Sequence, residues 1–206
     1  MAVEAPQLRQ GIPADAPHVP VAIVGAGACG LTAALHLADE GLECVVLERD
    51  AAPAGSTALS SGFIPAPGTR VQKARGIEDS AAQFTADIQA KAKGTAAPHL
   101  ARAYAESIGP ALDGLQARHG LQWELLEGFL YPGHSALRMH AVPEKTGAAL
   151  MTRLQRAADA AGISVLTQAL VRELWVEETF LRGRLICQDG NVIGKPSGQY
   201  LFRPTA

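Results

Sequence analysis

The sequence predicts an α/β fold built on a parallel sheet, and three observations carry that prediction. Val21–Val24 (VAIV) and Cys44–Leu47 (CVVL) are short, unbroken apolar runs, the pattern of strands covered on both faces. Between them, Gly25 to Gly41 places Leu31, Ala34, Leu35 and Ala38 at helical spacing, and Gly41 stands where helices commonly stop. The composition is 48% hydrophobic with 21 glycines and only 5% aromatic residues, which suits close backbone packing better than a β-sandwich does.

The remaining elements follow in order. Arg49 to Arg70, rich in Gly, Pro, Ser and Ala, reads as a loop. Asp79 or Ser80 is placed to cap a helix carrying Phe84 and Ile88. Pro98 opens another, with Leu100, Tyr104 and Ile108 four apart, and Gly109–Pro110 is expected to kink or restart it before His119–Gly120. Trp123 to His140 reads as irregular. Glu144 to Ala161 carries an amphipathic stripe of Leu150, Leu154 and Ala158, stopped by Gly162. Ile163–Leu166, Val171–Val176 and Arg184–Cys187 read as strands.

At 206 residues the chain is long enough for one substantial core. We divide it into a flexible tail (1–18), one main domain (19–187) and an irregular tail (188–206). A net charge of −2 gives no electrostatic case for nucleic acid. Three cysteines without a C-x-x-C argue against a disulfide framework or a metal site, and each reads as a small buried filler. The first twenty residues lack a signal-like apolar core, and the longest apolar stretch is broken by Gly25, Gly27 and Gly30. The expectation is a cytoplasmic protein without a membrane span.

The chemistry begins at Gly25–Gly30 (GAGACG). Gly25 permits the tight turn off the strand, Gly27 lets a pyrophosphate approach the backbone, and Gly30 lets the helix pack closely. The helix N-terminus offers free N–H groups and a dipole that favours negative charge. The second strand ends in Glu48, whose carboxylate can accept hydrogen bonds from both hydroxyls of a ribose. Val21 to Glu48 therefore reads as a unit for the ADP half of a dinucleotide, with NAD and FAD both open. Glu48 disfavours a 2′-phosphate, so Arg49 reads as a phosphate or solvent contact. Ala54–Ala66 (AGSTALSSGFIPA) adds hydroxyls and N–H groups without bulk, and by its chemistry alone is either a ligand-lining segment or a solvent loop.

The order GAGACG…LERD…GSTALSSGFIPA resembles flavoproteins of the fumarate reductase/succinate dehydrogenase type, a family that includes 3-ketosteroid dehydrogenases. The resemblance returns at Arg138–Leu166 and spans roughly Val19 to Cys187. It implies a Rossmann-like FAD-binding domain with a parallel sheet and an inserted helical region, incomplete at the C-terminus. It also implies FAD contacts at Gly25, Gly27, Ala28, Gly30, Glu48, Arg49, Gly55, Ser56, Thr57, Ser61 and Gly62. Members with covalent flavin carry a His where this chain has Ser56, so a non-covalent FAD is expected.

Arg138 and His140 are the polar pair nearest the expected flavin face. They are candidates for binding a substrate carboxylate or stabilising reduced flavin, against the alternative of anchoring a loop. No catalytic residue is assigned beyond them. The resemblance implies hydride transfer between flavin and an activated C–C bond of a carboxylate or ketone, with a small-molecule substrate and an electron-transfer partner of unknown identity. Family members continue past the present Cys187 into a capping domain and a C-terminal glycine segment, so a truncated chain is expected. Two alternatives stand beside this reading: a catalytically incompetent nucleotide-binding remnant, and another FAD monooxygenase or NAD-dependent enzyme. The Gly55–Ala66 segment argues against the last.

Overall fold

A computed structural model describes residues 7–10, 18–176, 178–181, 184–188 and 191–192, with side chains described over 18–173. The chain forms two compact units: Pro20–Ala169, and a second made of Met1–Val19 with Leu170–Ala206.

In chain order, β1 (Gln7–Gln10) precedes β2 (Val21–Val24), α1 (Ala28–Asp39) and β3 (Cys44–Leu47). Next come α2 (Gly55–Ala58), β4 (Ile64–Pro65), α3 (Arg70–Ala74), α4 (Ala81–Lys91) and α5 (Pro98–His119). They are followed by β5 (Glu124–Leu125), β6 (Met139–Ala141), α6 (Gly147–Ala160) and β7 (Ser164–Leu166). The last strands are β8 (Glu173–Val176), β9 (Glu178–Leu181), β10 (Arg184–Gln188) and β11 (Asn191–Val192).

In the larger unit, β2, β3 and β7 form a parallel sheet in the order β2-β3-β7, with Val21 opposite Cys44 and Val45 opposite Ser164. Alternation sends Val21, Ile23, Cys44, Val46 and Val165 to one face. That face joins the core made by Leu31, Ala34 and Leu35 of α1 and Leu150, Met151 and Leu154 of α6. A second, antiparallel sheet has the order β4-β6-β5, with Ile64 opposite His140 and Glu124 opposite Ala141. Helices α4 and α5 pack on each other. In the smaller unit, β1 pairs in parallel with β8, and β9, β10 and β11 form an antiparallel sheet.

Several elements depart from expectation. Helix α5 runs unbroken through Pro110. Pro110 is exposed, and the preceding Gly109 has no Cβ to clash with the proline ring. Helix α6 begins at Gly147 rather than Glu144, because Lys145 is left-handed (φ +54) and the Thr146 hydroxyl accepts from the Ala149 N–H. Ser80, not Asp79, caps α4, its hydroxyl accepting from the Gln83 N–H. The stretches read as irregular hold α2, β4, β5 and β6, each too short to show a period. Strands β1 and β11 fall inside the two expected tails. Cys29 is exposed, whereas Cys44 is buried; the side chain of Cys187 lies outside the described residues.

Gly109 brings α5 against the chain entering α3: a Cβ there would overlap the Pro67 carbonyl oxygen. Gly109→Ala is therefore expected to cost about 1–3 kcal/mol as an overpacked contact. A urea melt reads this as a lower midpoint at constant slope, and an unchanged midpoint would show that the approach is not tight.

Candidate functional site

The turn from β2 into α1 is shaped by its glycines. Gly25 has φ +98, a conformation that L side chains rarely adopt, and its N–H donates to the Leu47 carbonyl at 2.7 Å. A Cβ on Gly30 would overlap the Gly25 carbonyl oxygen and lie 3.3 Å from the Ile23 side chain, so only glycine lets α1 sit this close to β2. Gly27 differs: a Cβ there meets nothing within 4 Å, so the space beside the helix start is open. Gly27 is also the N-cap of α1, without a side-chain capping bond and without an acidic residue in the first turn. The first-turn N–H groups, including that of Ala28, have no intrahelical partner and suit an anion.

Glu48 stands beside this turn at the end of β3, 9% exposed. One carboxylate oxygen accepts from the Ala26 N–H at 2.8 Å and the other from the Asp50 N–H at 2.9 Å. Two backbone donors thus fix its orientation, and each oxygen keeps a lone pair for a hydroxyl. Arg49 is exposed and pairs with Asp50 at 3.1 Å.

The second motif is pinned from behind. Ser56 and Ser61 are exposed and Thr57 is half-buried, while Gly62 is buried with φ +67. The Ser60 hydroxyl donates to the Thr57 carbonyl at 2.7 Å and accepts from the Gly62 N–H at 3.0 Å. The Ser60 carbonyl accepts from the Gly147 N–H at 2.8 Å, and Gly55 has φ +56. Helix α6 packs against both α1 and α2, so it touches both motifs.

Arg138 and His140 are fully buried. Arg138 donates from Nε and Nη2 to Asp79 at 2.8 and 2.9 Å, pairs through Nη1 with Asp87, and lies 4.6 Å from the Phe84 ring centre. These bonds engage all three guanidinium nitrogens, and the side chain has no surface exposed to solvent. The His140 ring bonds the Arg138 carbonyl at 2.8 Å and the Thr69 hydroxyl at 2.9 Å. Burial pushes His140 below its ordinary pKa, so the ring is neutral at pH 7.

Among their partners, Thr69, Gln72 and Asp87 were not singled out from the sequence, and Asp79 read there only as a helix cap. Gln72 bonds Asp79 at 2.9 Å and the Leu137 carbonyl at 2.8 Å. A visible signal existed: Thr69-x-x-Gln72 forms a capping box on α3. His119 pairs with Asp39 at 3.1 Å. Among the described residues, no cluster of His, Cys, Asp or Glu could hold a metal ion, and no helix is long and apolar enough to cross a membrane.

A family model for an FAD binding domain matches residues 20–203. The chain belongs to this FAD-binding family. It is 32% identical over 154 residues to a urocanate reductase of Eggerthella lenta, covering 75% of this chain and 25% of that protein. It is 30% identical over 176 residues to an NADH:fumarate oxidoreductase of Klebsiella pneumoniae, covering 84% of this chain and 19% of that protein. The chain thus spans a quarter or less of these relatives. A 3-ketosteroid-Δ4-(5α)-dehydrogenase from Rhodococcus jostii RHA1 shares the fold, with a TM-score of 0.65 at 24% identity over 79% of this chain and 40% of that one. The residues present fit the cofactor of an FAD-binding domain: open space at Gly27 for a pyrophosphate, and an oriented carboxylate at Glu48 for a ribose.

Two expectations follow. Burial works to raise the Asp87 pKa, but the Ser135 N–H and hydroxyl and the Arg138 charge hold it below its ordinary value. Its contribution to stability is therefore full above the unfolded value and is lost as pH falls through the folded one. Asp87→Asn should cost about 1–3 kcal/mol at neutral pH. In urea melts that gap should narrow as pH falls below about 3.9; a gap independent of pH would show that the Asp87 charge is not its source. Separately, Glu48→Ala should weaken FAD binding by about 1–3 kcal/mol through lost charge-assisted hydrogen bonds. Unchanged affinity in a fluorescence titration would remove Glu48 from the ribose site.

Proposed function

We propose that this chain holds FAD non-covalently as part of a fumarate reductase-like oxidoreductase. That enzyme moves hydride between the flavin and an activated C–C bond of a small carboxylate or ketone. The observation that carries the reading is the pairing of an open, uncapped helix start at Gly27 with the oriented Glu48 carboxylate. The named relatives support the substrate class. Urocanate and fumarate, and the acrylate of a Shewanella woodyi reductase subunit, share a C–C double bond conjugated to a carboxylate.

In this reading Gly25, Gly27, Ala28 and Gly30 form the pyrophosphate turn. Glu48 holds the ribose, with Arg49 at its edge. Gly55, Ser56, Thr57, Ser61 and Gly62 line the path toward the ring. Ser56 has no nucleophilic nitrogen, so no imidazole link to the flavin forms there. Bound FAD supplies the redox chemistry, while the protein supplies orientation and electrostatics. Arg138 and His140 serve the scaffold, since their polar atoms are engaged inside it.

The test is the visible spectrum of the desalted protein, followed by acid precipitation. Flavin bands that pass into the supernatant support non-covalent FAD. At about a hundred times its Kd, FAD should also add about 2.7 kcal/mol of stability. Colourless, folded protein without an FAD-dependent thermal shift would overturn the reading, and flavin that stays with the pellet would overturn its non-covalent part.

A further inference from the structure

Resting on the cofactor reading above, we infer that helix α6 is the template that seats the second cofactor segment, with Gly147 and Gln155 as its positioning residues. Gly147 is buried at the start of α6, and its N–H donates to the Ser60 carbonyl. A Cβ on Gly147 would overlap the Thr57 carbonyl oxygen and lie 2.7 Å from the Ser60 carbonyl oxygen and 2.8 Å from the Ser60 hydroxyl. The contact is reciprocal: a Cβ on Gly62 would lie 2.9 Å from the Thr146 carbonyl oxygen and 3.0 Å from the Gly147 nitrogen. Two turns along α6, Gln155 donates from its side-chain nitrogen to the Pro53 carbonyl. The segment that carries Gly55, Ser56 and Thr57 is thus held on α6 at both ends.

Which side gives way under strain decides the consequence. The obstacles to a methyl at position 147 are mainly backbone oxygens, which cannot swing aside as a side-chain tip does. Helix α6 is fixed in the core by Leu150, Met151 and Leu154, each at most 3% exposed. The α2 segment is the softer partner: Ser56 and Ser61 are exposed, and Leu59 is 91% exposed. A methyl at Gly147 therefore displaces α2, and with it the groups aimed at the cofactor, while the core stays packed. Gly147 and Gln155 act through that segment.

The experiment compares FAD affinity and the visible circular dichroism of bound flavin in the 206-residue chain and three variants. Gly147→Ala should weaken binding by about tenfold or more and alter the flavin dichroism. Gln155→Ala, which loses one hydrogen bond without an overlap, should weaken it by about threefold. Ala148→Gly, at an exposed position in the same helical turn, should lower the melting temperature without moving affinity or dichroism. Unchanged affinity in Gly147→Ala, or an equal loss in Ala148→Gly, overturns the assignment. Should Gly147→Ala not fold, Gln155→Ala decides, and unchanged affinity there overturns it. Wild type that binds no FAD sinks the cofactor reading itself, whereas wild type that binds while Gly147→Ala matches it sinks this assignment alone.

Discussion

Helix α6 reaches both glycine-bearing motifs, one of them through a backbone contact that admits no side chain. At one end Gly147 lies against the carbonyl oxygens of Thr57 and Ser60. Along its buried face α6 packs on α1, the helix that starts at the open Gly27. Helix α1 is in turn held to β2 by Gly30, whose missing Cβ leaves room for the Gly25 carbonyl. The separation between the two motifs therefore follows from helix packing. The interior is close-packed, so a displacement at either glycine is passed on rather than absorbed.

Charge plays a second, separate part. Arg138 is fully buried with two carboxylates, one of which, Asp79, has a fully buried side chain. Such a group is a weak source of net stability, because desolvation offsets the Coulomb attraction. Leaving a charge there with no partner at all is another matter: an uncompensated buried charge costs about 3–5 kcal/mol. The network therefore acts mainly as a specificity device. The planar guanidinium fixes Asp79 before α4, Asp87 within it and the strand β6 in one arrangement. Because β4 pairs with β6, the chain leaving Gly62 inherits that arrangement.

The parts of this architecture legible in the sequence are those with a long enough pattern. Helix α1, the strands β2 and β3 and the apolar stripe of α6 showed themselves by periodicity and glycine punctuation. The turn at Gly25 and the close helix packing at Gly30 followed from stereochemistry that needs no distant partner. What stayed hidden needed a partner distant in sequence. Asp79 read as a helix cap because its bond to Arg138 spans 59 positions. The burial of Arg138 and His140 was hidden for the same reason. Strands of two or three residues, such as β4 and β6, carry no period at all. Pro110 misled for the opposite reason: the rule against proline in helices is general, but here the ring is exposed and follows a glycine.

The start of α6 shows how local and distant constraints combine. A helix beginning at Glu144, as the stripe alone suggests, would place Gly147 in its fourth position. Its N–H would then bond inside the helix. The left-handed Lys145 and the Thr146 cap shift the start to Gly147 itself, which leaves that N–H free for the Ser60 carbonyl. The same shift brings the residue without a Cβ to the point where α2 presses closest. Capping chemistry, a left-handed residue and a glycine thus converge on one position. Only the glycine is needed to remove the overlap with Thr57, and only the cap makes the N–H available, so neither alone would seat the segment.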